Sequence, residues 1–440
     1  MSNVYAEHLQ GVVQFSTVSY VDKEKVDYAQ FDLLHQYLEK TWPLVHKTLE
    51  KKIIGRANLL YKWKGKHADK LPVLLMAHQD VVPEGEHTLW KYPPYAGIIA
   101  EGYVWGRGAN DCKSKLVVVL DAVEELIQEG FEPDYDIYLA FSEDEEVQGE
   151  EKGARSIAEY LKEKNVRLGA VFDEGGGLTK EVTDDFDGYV ASVSLAEKAY
   201  NDYELYVEGA GGHSSRPGKG TSLGQVAKAI VAVEENPLPY KLTEIVENQL
   251  KAESRLYEGE RKQLFENPRA NFEKLQELAK DDALLDALLH STTAATMASG
   301  STQSNVIPAR ASAIVNARVL PGDTKEQVLE HLKEVVPSGV KVRQLVKEDV
   351  APISKSDTRE FLLIKEILEK IHGKEVLLIP KLVVGGTDAR FYTLVSDNVF
   401  RFYGIVRKNE NYGIHGIDER IEVDALSGGV LFLKEYLRNY

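Results

Sequence analysis

Two rhythms of apolar and polar residues divide this chain. In the first ~190 residues, short continuous apolar runs alternate with longer stretches of helical spacing. Three of the runs, LPVLLMAHQD, DIYLAFSEDEE and LGAVFDEGG, pass directly into His and acidic residues. They predict buried strands over 71–77, 136–142 and 169–173. Helices are predicted over 31–49 (Leu34, Leu38 and Val45 on one side), over 113–129 (Leu116, Leu120, Val123, Ile127) and over 153–164. Such alternation predicts an α/β domain with a mixed central sheet flanked by helices.

From about residue 190 the pattern changes to the every-second-residue alternation of half-exposed antiparallel strands, over 189–197 and 203–208. A glycine-rich link, EGAGGHSSRPGKG, leads to a helix over 222–235. A strand over 312–320, a helix over 324–335 and a strand over 340–346 follow. This order, ββα then βαβ, predicts a small separate α/β sandwich, with a Leu-, Glu- and Lys-rich helical insert at about 241–290. After residue 351 the α/β pattern resumes, with a helix over 361–371 and strands near 376–379 and 399–403. The expected organisation is one catalytic domain in two parts, 1–188 and 349–440, split by an inserted domain at 189–348.

Composition narrows the function. A net charge of −17 disfavours nucleic acid or an anionic membrane as partner, since either needs a basic face. No run approaches the roughly 18 apolar residues of a membrane span, and the N-terminus lacks the pattern of a secretory signal. The single cysteine, Cys112, excludes an internal disulfide and fits a reducing, cytoplasmic setting.

The ends of the three strands carry the candidate chemistry. In an open α/β sheet the ligand crevice lies beyond the carboxyl ends of the strands, so hard donors there converge. His78 and Asp80 point the same way on an extended chain, which lets Asp80 orient His78 as a metal ligand. Asp111, in WGRGANDCKSK, reads either as a helix N-cap or as a carboxylate bridging two cations. The run Glu143–Asp144–Glu145–Glu146 reads as a solvated helix start or as a ligand paired with a free proton-accepting carboxylate. Asp173 and the distant, glycine-flanked His415 complete the set. Cys112 reads as a packed small residue among oxygen donors.

The stretches HQDVVP, LWKYPPYAG, VWGRGANDCKS, FSEDEEVQG, VFDEGGG, GGHSSRP, NVIPARASAIVNARVLPGD, GGTDARFY and IHGIDE occur in this order along nearly the whole chain. Together they resemble the di-zinc aminoacylase and carboxypeptidase family, in particular its carboxypeptidase S and N-acyl-amino-acid hydrolase branch. That resemblance implies a phosphorylase/hydrolase-like catalytic domain with an inserted ferredoxin-like lid, and two zinc ions for which cobalt or manganese can substitute. It implies His78 and Asp173 on one ion, Glu146 and His415 on the other, Asp111 between them, Glu145 as general base and Asp80 orienting His78. It further implies His213 as the group polarising the scissile carbonyl, from its own or a partner subunit's lid. Asn305 and Arg318 would bind substrate, with Gly386 and Thr387 in the loop that grips its carboxylate. A homodimer through the lid is the assembly such relatives suggest. Two departures stand out: Cys112 occupies a position where relatives usually carry Asp or Met, and the 241–290 insert enlarges the lid.

The reaction so implied is metal-assisted hydrolysis of an amide, with the substrate a short peptide or an N-acyl amino acid. A non-catalytic metal-binding protein on the same scaffold is the remaining reading, opposed by the presence of the base Glu145 beside a full ligand set.

Overall fold

The computed structural model describes residues 4–67, 69–147, 152–408 and 412–440. The end of the FSEDEEVQG stretch and Asn411 lie outside the described residues. The chain forms two compact units, one of Met1–Leu195, Ser354–Pro380 and Thr387–Tyr440, the other of Ala196–Ile353 and Lys381–Gly386. The expected cut after residue 188 falls inside the continuous strand Phe186–Glu197, and the division comes near the end of that strand instead.

The first unit is built on a mixed sheet. Its strands run in the order Glu50–Ile54, Asn58–Trp63, Ile137–Ser142, Val73–His78, Ala170–Asp173, Val399–Arg401, Phe186–Glu197, Val376–Val383, with Gly177–Thr183 paired to Phe186–Glu197. The central strand Val73–His78 is parallel to both Ile137–Ser142 and Ala170–Asp173, so all three end on the same side. Each of them is buried along its length, which explains their unbroken apolar runs.

Alternation decides which residue faces which layer. Leu74, Met76 and Val171 join a core under the helices Gly153–Glu163 and Ala389–Tyr392, with Ile157, Leu161 and Tyr392. Phe172 turns to the opposite face and stacks edge-on against Phe432 and Tyr436 of the helix Val423–Asn439. The predicted helix over 31–49 is two helices, Tyr28–Thr41 and Pro43–Thr48, because Pro43 has no N–H to continue the first and instead starts the second.

The second unit has a four-stranded antiparallel sheet in the order Thr292–Ser299, Arg310–Val319, Ala199–Glu208, Lys341–Lys347. Helices Ser222–Glu235 and Lys325–Val335 cover one face, where Ala229, Val233, Val328 and Leu332 meet Tyr203, Leu205, Val315 and Ala317. The order βαββαβ is ferredoxin-like. The strand Thr292–Ser299, whose TTAATMAS sequence carries little apolar signal, is not evident from the sequence. The strand over 189–197 belongs to the large sheet instead. Four helices, Glu244–Glu253, Gly259–Glu266, Phe272–Ala279 and Ala283–Leu289, make up the expected insert.

A small ladder fixes the loops nearest the strand ends. Tyr103–Trp105 pairs with Arg420–Glu422, bringing Trp105 opposite Arg420, though more than 300 residues separate them in sequence.

The glycines after Ala170–Asp173 allow a direct test of how tightly this side of the sheet is built. Gly176 has φ +62°, and a Cβ there would lie 2.3 Å from the Ser192 carbonyl and 2.5 Å from that of Arg401. At Gly177 a Cβ would meet nothing nearer than the Arg407 side chain at 4.0 Å. Gly176→Ala is therefore expected to lower unfolding free energy by about 1–3 kcal/mol, while Gly177→Ala changes it little. Urea unfolding of the two variants measures the contrast.

Candidate metal centre

The ends of the three parallel strands, the 106–112 loop and the 412–419 loop gather imidazoles and carboxylates in the first unit. His78 ends its strand opposite Ser142, the residue just ahead of the four acids. Its Nδ1 lies 3.0 Å from the Asp80 backbone carbonyl and 3.5 Å from the Asp80 carboxylate. That arrangement puts the ring proton on Nδ1 and frees Nε2 for a ligand. Nε2 faces Asp111 Oδ1 at 3.0 Å and Glu174 Oε1 at 3.4 Å, with Glu145 Oε2 at 4.0 Å.

The second imidazole closes the other side. His415, in a left-handed backbone conformation (φ 57°), sets Nε2 at 2.9 Å from Glu146 Oε2 and 3.2 Å from Asp111 Oδ2. Asp111 thus turns one oxygen to each imidazole. Three overlapping donor groups result among the described residues, the first around His78, Asp111 and Glu174, another around His78, Glu145 and Glu146, and the third around Asp111, Glu146 and His415. Cys112 also has its sulfur within the first group, where it accepts the His78 backbone N–H at 3.1 Å.

The residues fit a pair of divalent cations. Two imidazoles and several carboxylates lie within ligand reach of shared points, and Glu146 Oε1 is buried without a hydrogen-bond partner. Burial pushes Glu145 well above the usual carboxylate range, and pushes Glu146 up to about 7. A bound cation reverses that tendency by favouring the charged forms. His415 is pushed up to about 10 by its hydrogen bonds to Asp111 and Glu146.

Asp173 is turned elsewhere. The register that sets Phe172 beside Leu75 puts Asp173 at the level of Met76, below the end of the strand that carries His78. On that face Asp173 Oδ2 accepts the Ala389 N–H at 2.9 Å. Glu174, one residue on, is the acid of this pair that reaches the His78 ring, with Oε1 3.4 Å from Nε2. Sequence alone offers no signal to separate the two acids of DEGGG. Burial also raises the Asp173 pKa to about 7, which suits a group inside the sheet.

Asp80 has further partners besides His78. Its carboxylate accepts the backbone N–H groups of Glu145 and Glu146 at 3.2 and 3.1 Å and the Ser19 hydroxyl at 2.6 Å. Asp80 therefore holds the glutamate turn in place while its carbonyl and carboxylate both face His78 Nδ1.

Thr387 is buried in the first unit, its hydroxyl accepting from Arg401 Nε at 3.2 Å and from the Ala389 N–H at 3.3 Å. Its neighbour Gly386 falls in the second unit. There too, His213 pairs with Val306, and Ser214 donates its N–H to the Asn305 carbonyl, which brings His213 and Asn305 together. His213 Nδ1 accepts the Ser215 N–H at 3.1 Å, leaving its proton on the exposed Nε2. Arg318 lies toward the far end of Arg310–Val319, with its guanidinium 4.6 Å from the Tyr200 ring centre and Nε 3.3 Å from Asn316 Oδ1.

Three residues escaped the sequence reading. Lys115 Nζ reaches Glu174 at 3.4 Å, and Arg407 donates to Asn110 Oδ1 at 3.0 Å. Glu419, within IHGIDE, is buried and accepts from Asn110 N, Asp111 N and Gly108 N, each at 2.9 Å, and from Arg107 at 2.7 Å. A charged residue in a loop gives no sequence sign of such burial.

A mixed sheet gathering imidazoles and acids at its strand ends, with an α+β unit inserted in the chain, is the build of a metallopeptidase. The chain belongs to the peptidase family M20/M25/M40, whose model matches residues 74–439. It is 33% identical to the probable carboxypeptidase S-like 2 of Dictyostelium discoideum, over 99% of this chain and 84% of that protein. It is 30% identical to the mouse N-fatty-acyl-amino acid synthase/hydrolase PM20D1, over 98% of this chain and 87% of the relative. Among solved structures, the M20 metallo-carboxypeptidase Sso-CP2 of Sulfolobus solfataricus superposes with a TM-score of 0.72 at 18% identity, covering 100% of this chain and 99% of the other. The Bacillus subtilis YXEP protein, described as a dinuclear metal-binding peptidase, gives 0.57 at 12% identity, covering 99% and 98%.

Removing the Glu419 carboxylate leaves four buried donors without an acceptor. Glu419→Ala is expected to destabilise the protein by roughly 3–5 kcal/mol and to lower the metal content of purified protein, as read by thermal melts and elemental analysis.

Proposed function

We propose that this chain is a two-metal exopeptidase that hydrolyses the amide bond to a C-terminal amino acid in short peptides. The observation that carries the reading is the splayed carboxylate of Asp111, with one oxygen on each imidazole. His78, Asp111 and Glu174 would hold one ion, and Asp111, Glu146 and His415 the other. The donor set suits zinc, with cobalt or manganese as substitutes. When bound, such a pair supplies Lewis acidity toward the carbonyl and lowers the pKa of a coordinated water.

The protein's own groups then do the rest. Glu145 stands 4.0 Å from His78 Nε2, its backbone held by Asp80. Burial raises its pKa, which suits a base that must take the water's proton and return it to the leaving amine. His213, whose Nδ1 accepts the Ser215 N–H, would present its Nε2–H to the carbonyl oxygen as charge develops there, from this chain or a partner subunit. Arg318, its cation stacked on Tyr200, is the group for the substrate carboxylate. The single cysteine is buried beside His78, consistent with a reducing, cytoplasmic setting.

A second reading, hydrolysis of N-acyl amino acids, is favoured by the likeness to PM20D1. It uses the same chemistry and places the difference in the acyl pocket, for which the helices from Glu244 to Leu289 are the candidate wall. A side-by-side assay of Gly-Leu-type dipeptides and long-chain acyl amino acids separates the two, the dipeptide being the better substrate under the first.

Two substitutions test the site itself. Glu145→Gln is expected to keep both metals and lose kcat by on the order of 10²–10⁴-fold; a variant as fast as the parent removes the mechanism. Glu174→Gln is expected to bind less metal than Asp173→Asn, by elemental analysis of protein equilibrated at limiting zinc. The reverse order would restore Asp173 as ligand.

A further inference from the structure

We propose that the first unit carries a second ligand site, a basic pocket that binds a small organic molecule bearing two phosphate groups. The pocket has a volume of about 470 Å³ and is lined by Lys51, Lys52, Lys62 and Lys164 together with Tyr138 and Tyr160; Glu50 is its one acid. Tyr138 stands near the start of the strand Ile137–Ser142, whose other end leads to Glu145 and Glu146. The pocket is thus set toward the opposite edge of the sheet from the acidic cluster.

Its charge is concentrated in two of the lysines. Lys51 is paired with Glu39 at 2.7 Å and Lys62 with Asp136 at 2.8 Å. Lys52 and Lys164 have no carboxylate partner among the described residues. Their ammonium groups lie 5.0 and 5.6 Å from the centre of the same Tyr160 ring. They are therefore no farther apart than those two distances combined.

Each lysine taken singly has an ordinary role. Lysines on the edge strand Glu50–Ile54 deter pairing with another chain, and Lys164 suits the C-terminal end of the helix Gly153–Glu163. Neither role requires the two free ammoniums to converge on one ring at the mouth of one cavity. Convergent positive charge in a chain of net −17 is a local exception, and it raises the local concentration of anions. Lysine binds phosphate as a compact point charge. Two such charges in the lining of one ligand-sized cavity suit two phosphate groups joined by a short carbon frame. Both free cations lie within 5.6 Å of the Tyr160 ring centre, and a ligand with two phosphate groups can offer one to each.

Fructose 1,6-bisphosphate, titrated calorimetrically into the metal-loaded protein, is the probe, with inorganic phosphate and ADP beside it. The expected result is one site per chain, tighter for the bisphosphate than for inorganic phosphate, and weakened at least tenfold in Lys52→Gln/Lys164→Gln. Binding should persist in Lys52→Arg/Lys164→Arg, in Glu145→Gln and in the charge-matched control Lys228→Gln/Lys280→Gln. Tighter binding of ADP than of the bisphosphate would add recognition of a base to the same site. Binding that survives Lys52→Gln/Lys164→Gln, or no heat at millimolar probe, overturns the proposal. Dipeptide hydrolysis without added phosphate should be the same in the Lys52→Gln/Lys164→Gln variant and the parent, so failure here leaves the proposed peptidase activity untouched.

Discussion

The site depends on one buried carboxylate that ligates nothing. Glu419 gathers the N–H groups of Gly108, Asn110 and Asp111 and the guanidinium of Arg107, all within 2.9 Å. An unpaired charge in that position would be very costly, so its four donors are as necessary to it as it is to them. The outcome is a loop locked in the shape that turns Asp111 outward between two histidines. The same motif, four residues earlier, supplies His415. Tyr103–Trp105 pairing with Arg420–Glu422 brings the two loops together.

Electrostatics explains why such a cluster calls for cations. Glu145, Glu146 and Asp173 are all pushed upward by burial, toward their neutral forms. Protein cations answer only part of the charge: Lys115 reaches Glu174, and Arg407 sits over Asn110. The rest is an excess of negative charge that suits divalent cations. Backbone donors do the remaining positioning, with Asp80 holding the glutamate turn as Glu419 holds the 108–111 loop.

Much of this was legible in the chain. Buried strands announce themselves as apolar runs, and the residues that follow them must lie at one edge of a parallel sheet; His78, Glu145 and Glu146 were found that way. The break at Pro43 was missed, although a proline marks it. Less could be read where polarity hid a strand, as at Thr292–Ser299. Asp173 and Glu174 could not be told apart, because which acid rises to the level of His78 depends on strand register. Neither acid's spacing within DEGGG carries that information.

Composition and periodicity by themselves determined an α/β scaffold with an inserted α+β unit and a set of hard donors at strand ends, because burial and side-chain alternation are local properties of a sequence. Only tertiary structure decided which donors meet. Ligand atoms must converge to within a few ångströms, and that depends on the register of Ala170–Asp173 against Val73–His78 and on a ladder between segments 300 residues apart. A one-residue step in register moves a carboxylate from the crevice into the sheet, and no local pattern encodes that step.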